Sequence, residues 1–321
     1  MRTRILLLVF GLVITTALSQ TAQANPTPVT TCGQTLSFAG EYVLSNNLNC
    51  SGISGDHNGV TITASNVVFH LAGRTISSTD CDISRNISGI VMSIGLSGVK
   101  VDGGIVTGFN DGILLYSSRS KVKGMTVRNA CIFGIAVGGD EDQVETSVVT
   151  GSGTDGIILS PSRGSVISSN YSSGNRRAGV AVSDFADNNR IENNILNNNG
   201  GGGEGYGVAI FNGTRNTIRN NVANYNDFGI RVATAVNPAG DLRLSNQVIE
   251  NKVSGNSHLG IWIQNTAAPS IVRRNTVFGS GDTDMVDESA GCDGNIWRNN
   301  TFMTDLVAGL SDDGPGAGCV R

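Results

Sequence analysis

Asp227 and His258 are the residues of this chain best suited to proton transfer, and they stand in equivalent places. Each lies two positions ahead of a Gly-Ile pair, Gly229-Ile230 and Gly260-Ile261. If those segments are neighbouring strands of one parallel sheet, equivalent side chains stack about 5 Å apart. A carboxylate beside an imidazole can then take up and return a proton near neutrality. Arg231 and Trp262 each lie two residues after their glycine, and Phe211 and Gln264 lie four after theirs. Tyr206 closes a glycine-rich stretch that carries Glu204. A guanidinium holds a carboxylate in a bidentate way, and aromatic faces cover the apolar faces of a sugar ring. Asp227 and His258 for proton transfer, with Tyr206, Phe211, Arg231, Trp262 and Gln264 for binding, therefore form a candidate site for an acidic saccharide. The competing description is a solvated surface ion pair beside a covered tryptophan.

What would bring these residues together is a repeat. Glycine, then Ile or Val, one residue, and another apolar residue recur at Gly59, Gly89, Gly112, Gly134, Gly156, Gly179, Gly207, Gly229 and Gly260, spaced 30, 23, 22, 22, 23, 28, 22 and 31 residues apart. A second short apolar segment follows in each period, such as Val122-Lys123-Gly124-Met125 or Ile218-Arg219-Asn220. Strands this short, separated by Gly, Asn, Ser and Asp, suit tight corners. A unit of some 22 residues cannot bury its own apolar face, so the units must stack into a solenoid. The L-x-x-L-x-L pattern of leucine-rich repeats and the hexapeptide rhythm of left-handed helices are both missing. The expected fold is all-β, a right-handed parallel β-helix of about 9–10 coils with disulfide-stapled caps at both ends. Asn170, Asn193 and Asn221 each lie 14 residues after a glycine, with Asn251, Asn275 and Asn300 in comparable places, which points to a stacked amide ladder.

Within a coil, the residue between the two apolar ones points outward. That column reads Thr61, Val91, Leu114, Ala136, Ile158, Ala181, Ala209, Arg231, Trp262. So apolar a strip calls for cover by the N-terminal segment or the tail, or else it is a binding face.

The chain opens with basic residues at Arg2 and Arg4, an apolar stretch from Ile5 to Leu18, and Ala22-Gln23-Ala24. That is the pattern of a cleaved secretory signal, too short to span a bilayer. The expected division is residues 1–24 as signal peptide, 25–58 as N-terminal cap, 59–303 as β-helix and 304–321 as C-terminal capping tail. The mature chain has no second long apolar run, hence no expected membrane span. Six cysteines in an exported chain favour disulfides. Cys32 with Cys50 and Cys292 with Cys319 are the local staples, and Cys81 with Cys131 follows by elimination.

Composition narrows the partners. Of 321 residues only 15% are charged, 43 are glycine and 33 asparagine, with a net charge of -4 and four lysines. No basic patch exists to neutralise a nucleic-acid backbone. Two acidic loops, Asp140-Glu141-Asp142 and Asp282, Asp284, Asp287, Glu288, offer oxygen ligands of the type calcium takes. Solvated loops carry such runs more often, so no cofactor is expected and calcium is the sole candidate.

The G-I-x-V and N-N motifs between Gly59 and Phe302 resemble the right-handed parallel β-helix proteins of the pectin-lyase-like superfamily. They are also similar to the Asn-rich repeat family that includes the periplasmic β-helix factor for copper loading of nitrous oxide reductase. The resemblance implies the fold, a secreted or periplasmic location and a polysaccharide partner. It transfers no catalytic residue. The one Asp-Asp, Asp312-Asp313, lies in the tail, no histidine sits between glycines, and the Asp-Pro-His and Arg-x-Pro-x-x-Arg motifs are missing. His57, His70 and His258 are too scattered for copper. The expected function is binding or processing of an extracellular or cell-envelope polysaccharide on the rod's flank, as lyase, hydrolase or epimerase if an enzyme. The alternative is a non-catalytic structural or assembly module with an envelope-protein partner.

Overall fold

The computed structural model describes residues 25–52, 58–81, 84, 87–201, 203–233, 245–264, 269–289 and 294–307. Each coil is folded into three short strands. Asp111–Leu115, Lys121–Lys123 and Thr126–Arg128 make one coil, and Ile135–Val137 opens the next. Every strand pairs parallel with its counterparts one coil away, giving two twelve-stranded sheets. The third face divides into six and three strands, joined through single bridges at Ile195. The described residues hold strands and turns and no helix, as the repeat required.

The core is a stack of aliphatic columns. Ile113, Ile135, Ile157, Val180, Val208, Ile230 and Ile261 follow one another in register and are fully buried. The repeated glycine has a packing cause. A Cβ on Gly112 would sit 2.3 Å from Val127 Cγ1 on the opposite face and 2.5 Å from the Gly134 carbonyl oxygen. The valine thus occupies the space that any side chain at the glycine would need.

Asn170, Asn194, Asn221, Asn251, Asn275 and Asn300 form a buried ladder, each Nδ2 donating to the next Oδ1 at 3.0–3.1 Å. Asn193 is not a member, against expectation. It takes the corner itself, at φ 58°, and hands the ladder position to the next residue. Two further ladders run through Asn175, Asn199, Asn226 and Asn256, and through Asn189, Asn216 and Asn246.

The segment before Gly59 supplies strands of its own. Gln34–Leu36 pairs with Val60–Ile62, and Gly40–Leu44 with Val67–His70. At the other end Asp305–Val307 extends the sheet beyond Thr283–Asp287. The disulfides Cys32–Cys50 and Cys81–Cys131 are formed. Cys292 and Cys319 lie outside the described residues, as do residues 1–24 and most of the tail.

Candidate functional site

The outward column from Thr61 to Trp262 runs in Cα register as the repeat implied. The described N-terminal residues build coils, and the middle of the column packs against aromatic side chains of the same sheet. Ala136, Ile158, Ala178, Ala181, Tyr206 and Ala209 form a buried apolar cluster packed by Leu114, Phe133, Phe211 and Phe228.

At its C-terminal end this cluster becomes an aromatic box around a cation. Phe228 stacks on Tyr206 at 5.2 Å between centroids and on His258 at 5.4 Å, and lies tilted against Trp262 at 5.3 Å. Phe211 meets Tyr206 edge-on at 5.8 Å. The Arg231 guanidinium lies 5.1 Å from the Phe211 ring, 5.2 Å from Trp262 and 5.4 Å from Tyr206. It donates to Gln264 Oε1 at 2.8 and 3.2 Å and to the Tyr206 hydroxyl at 3.3 Å. That hydroxyl in turn donates to Glu204 at 3.2 Å. Burial pushes the Tyr206 phenol above its ordinary range and Glu204 adds to this, while Arg231 opposes. All five residues expected to bind are therefore assembled at one place.

Arg231 is half-buried and, among the described residues, has no carboxylate partner. Its neighbour Arg177 makes the contrast. Also stacked on Phe211, at 4.8 Å, Arg177 is bound in a bidentate way by the buried Asp155, which raises its pKa. The Trp262 indole N–H is buried without an acceptor. Among the described residues the site thus holds a positive charge without a carboxylate and a buried indole donor without an acceptor, set among rings.

The acid–base residues are arranged differently from expectation. Asp227 and His258 do stack, through a 2.9 Å bond from the His258 N–H to the Asp227 carbonyl. Their side chains turn to other partners. His258 Nδ1 meets Asp282 on the following coil at 2.9 Å, and Asp227 accepts from Gly205 N at 2.8 Å and Ser257 Oγ at 3.2 Å. The proton-transfer pair that the geometry offers is His258 with Asp282, its ring against Phe228. Sequence reasoning passed over Phe228, Arg177 and this role for Asp282. Phe228 had a signal, since it precedes Gly229 as Tyr206 precedes Gly207.

Three carboxylates of the acidic loops are used inside the fold. Asp284 accepts from Ser280 N and Met303 N, and Asp287 from Ser289 N and Trp297 Nε1. Asp142 is buried and bonded to Ser120 N. Among the described residues no three His, Cys, Asp or Glu side chains are grouped to hold a metal ion. No described helix is long and apolar enough to cross a membrane.

A family described as the right handed beta helix region matches residues 88–240. No curated protein matches the sequence. The Dettilon tailspike protein superposes with a TM-score of 0.57 at 17% identity, over 85% of this chain and 60% of the tailspike. The periplasmic alginate epimerase AlgG gives 0.59 at 14%, over 83% of this chain and 68% of the epimerase. A tailspike protein of E. coli bacteriophage HK620, solved with a pentasaccharide, gives 0.52 at 15%, over 85% and 55%. The chain thus spans less than two thirds of either tailspike. Parallel pairing on three faces, the register of the glycine strands and these superpositions agree that the chain is a right-handed parallel β-helix.

Proposed function

We propose that this is an exported protein that binds an acidic extracellular or cell-envelope polysaccharide on the flank formed by Tyr206, Phe211, Phe228, Arg231 and Trp262. The observation that carries the reading is the Arg231 guanidinium, which has no carboxylate partner among the described residues. A half-buried cation framed by rings is stabilised by an anion that brings apolar surface with it, and a uronate residue has both a carboxylate and an apolar ring face. Two disulfides fit an oxidising compartment. The alginate epimerase and the pentasaccharide-bound tailspike support a saccharide partner by fold likeness alone. His258, oriented through Nδ1 by Asp282, is the group we assign to proton transfer if the bound glycan is also processed. Asp227, committed to Gly205 and Ser257, then positions the loop before Tyr206.

Calorimetric titration with trigalacturonate and with its methyl ester tests the reading. The acid should bind at least tenfold more tightly than the ester, Arg231→Gln should abolish that difference, and Trp262→Ala should weaken both ligands. Equal binding of acid and ester, or binding of neither, would sink it. Release of unsaturated or reducing ends, lost in His258→Ala, decides for processing. Binding without release leaves a non-catalytic module of the envelope.

A further inference from the structure

A second feature lies on the same rod, at the corner where the glycine-bearing sheet turns into the next face. A groove of 540 Å³ is lined there by Ile94, Tyr116, Gly138, Pro161, Arg163 and Phe185, among others. Its apolar walls stand in solvent: Ile94 is 83% exposed and Phe185 74%. Phe185 is held in the left-handed region at φ 60°, directly after Asp184 at φ 49°. Such a backbone costs a bulky L-residue free energy, and a strained aromatic presented to water is a mark of use rather than of packing. The turn is fixed by Ser160 Oγ, which donates to the Asp184 carboxylate. Gly138 opens the trough beside Tyr116, since a Cβ there would lie 2.6 Å from the Tyr116 ring. Asp140 and Arg163 give the groove a polar rim, the mixture that suits a hydroxylated ligand.

The groove and the aromatic box lie along the same column of coils. Tyr116, Gly138, Ser160, Ser183, Phe211, Ala233 and Gln264 occupy one column, each N–H bonded to the coil before it. Phe211 of the box therefore sits one coil above Ser183, two residues from Phe185. From Tyr116 to Gln264 the column climbs six coils, about 29 Å at ~4.8 Å per strand.

We propose that the Tyr116–Phe185 groove is the far end of a saccharide-binding track, holding the continuation of the chain whose acidic residue Arg231 takes. The proposal rests on the glycan reading of the Arg231 flank and adds a length requirement to it. Short oligomers reach the box alone, and long ones also fill the groove.

The test is titration of the full mature chain with digalacturonate and decagalacturonate. The decamer should bind at least tenfold more tightly than the dimer. Phe185→Gly and Tyr116→Ala should each remove most of that gain and leave dimer affinity unchanged. Phe185→Gly also relieves the left-handed phenylalanine, so its melting temperature should equal or exceed that of the wild type, which separates lost recognition from lost folding. A decamer advantage that survives both variants overturns the proposal, as does no advantage at all. Loss of the advantage in Phe185→Gly, together with no effect of Trp262→Ala on either ligand, sustains the groove and sinks the Arg231 reading.

Discussion

Asp142 accepts a 2.8 Å hydrogen bond from the backbone N–H of Ser120 through one carboxylate oxygen, while its other oxygen is buried and meets no donor. Its place is that of an internal ladder. Ser120, Asp142, Ser165, Asn189, Asn216 and Asn246 succeed one another, each side chain accepting from the backbone of the coil before. The asparagines also donate, to the carbonyls of Ser162, Ala186 and Gly213. Each of those carbonyls lies three residues before the ladder residue of its own coil. For Asp142 the matching carbonyl belongs to Ser117, three residues before Ser120, and an ionised carboxylate has nothing to offer it.

Burial raises the Asp142 pKa from 3.8 to about 7; the bond from Ser120 opposes and Asp140 adds to the rise. With the folded pKa above the unfolded one, the folded state holds the extra proton between about pH 4 and 7. Stability is therefore greatest at the acid side of this window and falls as the pH rises through it, by on the order of 2–4 kcal/mol. Asp142→Asn should match the wild type near pH 4, melt several degrees higher at pH 8, and show a flatter dependence between. Thermal melts across that range check it. A variant that is less stable at pH 8 would show that the carboxylate is not the defect claimed here.

The glycine at the start of each strand makes a sharper prediction. A Cβ at Gly229 would come 2.3 Å from Val253 Cγ1 and 2.5 Å from the Gly260 carbonyl oxygen. One contact is with a core side chain and the other with backbone, so no cheap rotation relieves both. Gly229→Ala should cost roughly 3 kcal/mol or more by overpacking, read as a lowered denaturation midpoint. Gly229→Ala with Val253→Ala should recover part of the loss, because the valine methyl is the nearer obstacle.

This packing is also why the fold was legible and parts of the site were not. A glycine forced by the side chain opposite it, valine in most coils, recurs from Gly59 to Gly260, and this repetition sets the register of Arg231 beside Trp262. The pattern fails where another residue takes the glycine's place. Asp284 stands there in the coil after Gly260, its carbonyl oxygen 2.4 Å from where a Gly260 Cβ would be. The first strand of that coil therefore carries no glycine signal, and Asp282 as the partner of His258 is hidden with it. The early coil at Gln34–Leu36 escaped because Gln34 replaces the first apolar residue of the motif. In Asn193-Asn194 the residue type alone cannot say which one bends the chain and which joins the ladder. Only the φ of 58° at Asn193 decides it.

Ladder asparagines should tolerate almost nothing. Asn221 donates to the Ile191 carbonyl at 2.8 Å and to Asn251 Oδ1 at 3.1 Å, and it accepts from the backbone and side chain of Asn194. Asn221→Ala strands several buried polar groups at once, at about 1–3 kcal/mol for each left without a partner. We expect a loss of about 3 kcal/mol or more in equilibrium unfolding. Asn198→Ala, at an exposed corner in the left-handed region, is the control, and it should cost about 1 kcal/mol.

Tyr206→Phe isolates the polar part of the box. The variant keeps the ring against Phe228 and the alanine cluster beneath, and it removes only the hydroxyl that accepts from Arg231 and donates to Glu204. Stability should fall by about 1 kcal/mol, the net worth of the hydrogen bonds that this buried hydroxyl makes to Arg231 and Glu204. Recognition should change more. Without the hydroxyl between them, Arg231 loses one of its two anchors and swings more freely about Gln264, so a bound carboxylate meets a less organised cation. Trigalacturonate affinity should fall about three- to tenfold, while the methyl ester, which does not use the charge, should bind as before. If both ligands weaken equally, the hydroxyl contacts the sugar itself, and Arg231 is not the group that distinguishes acid from ester.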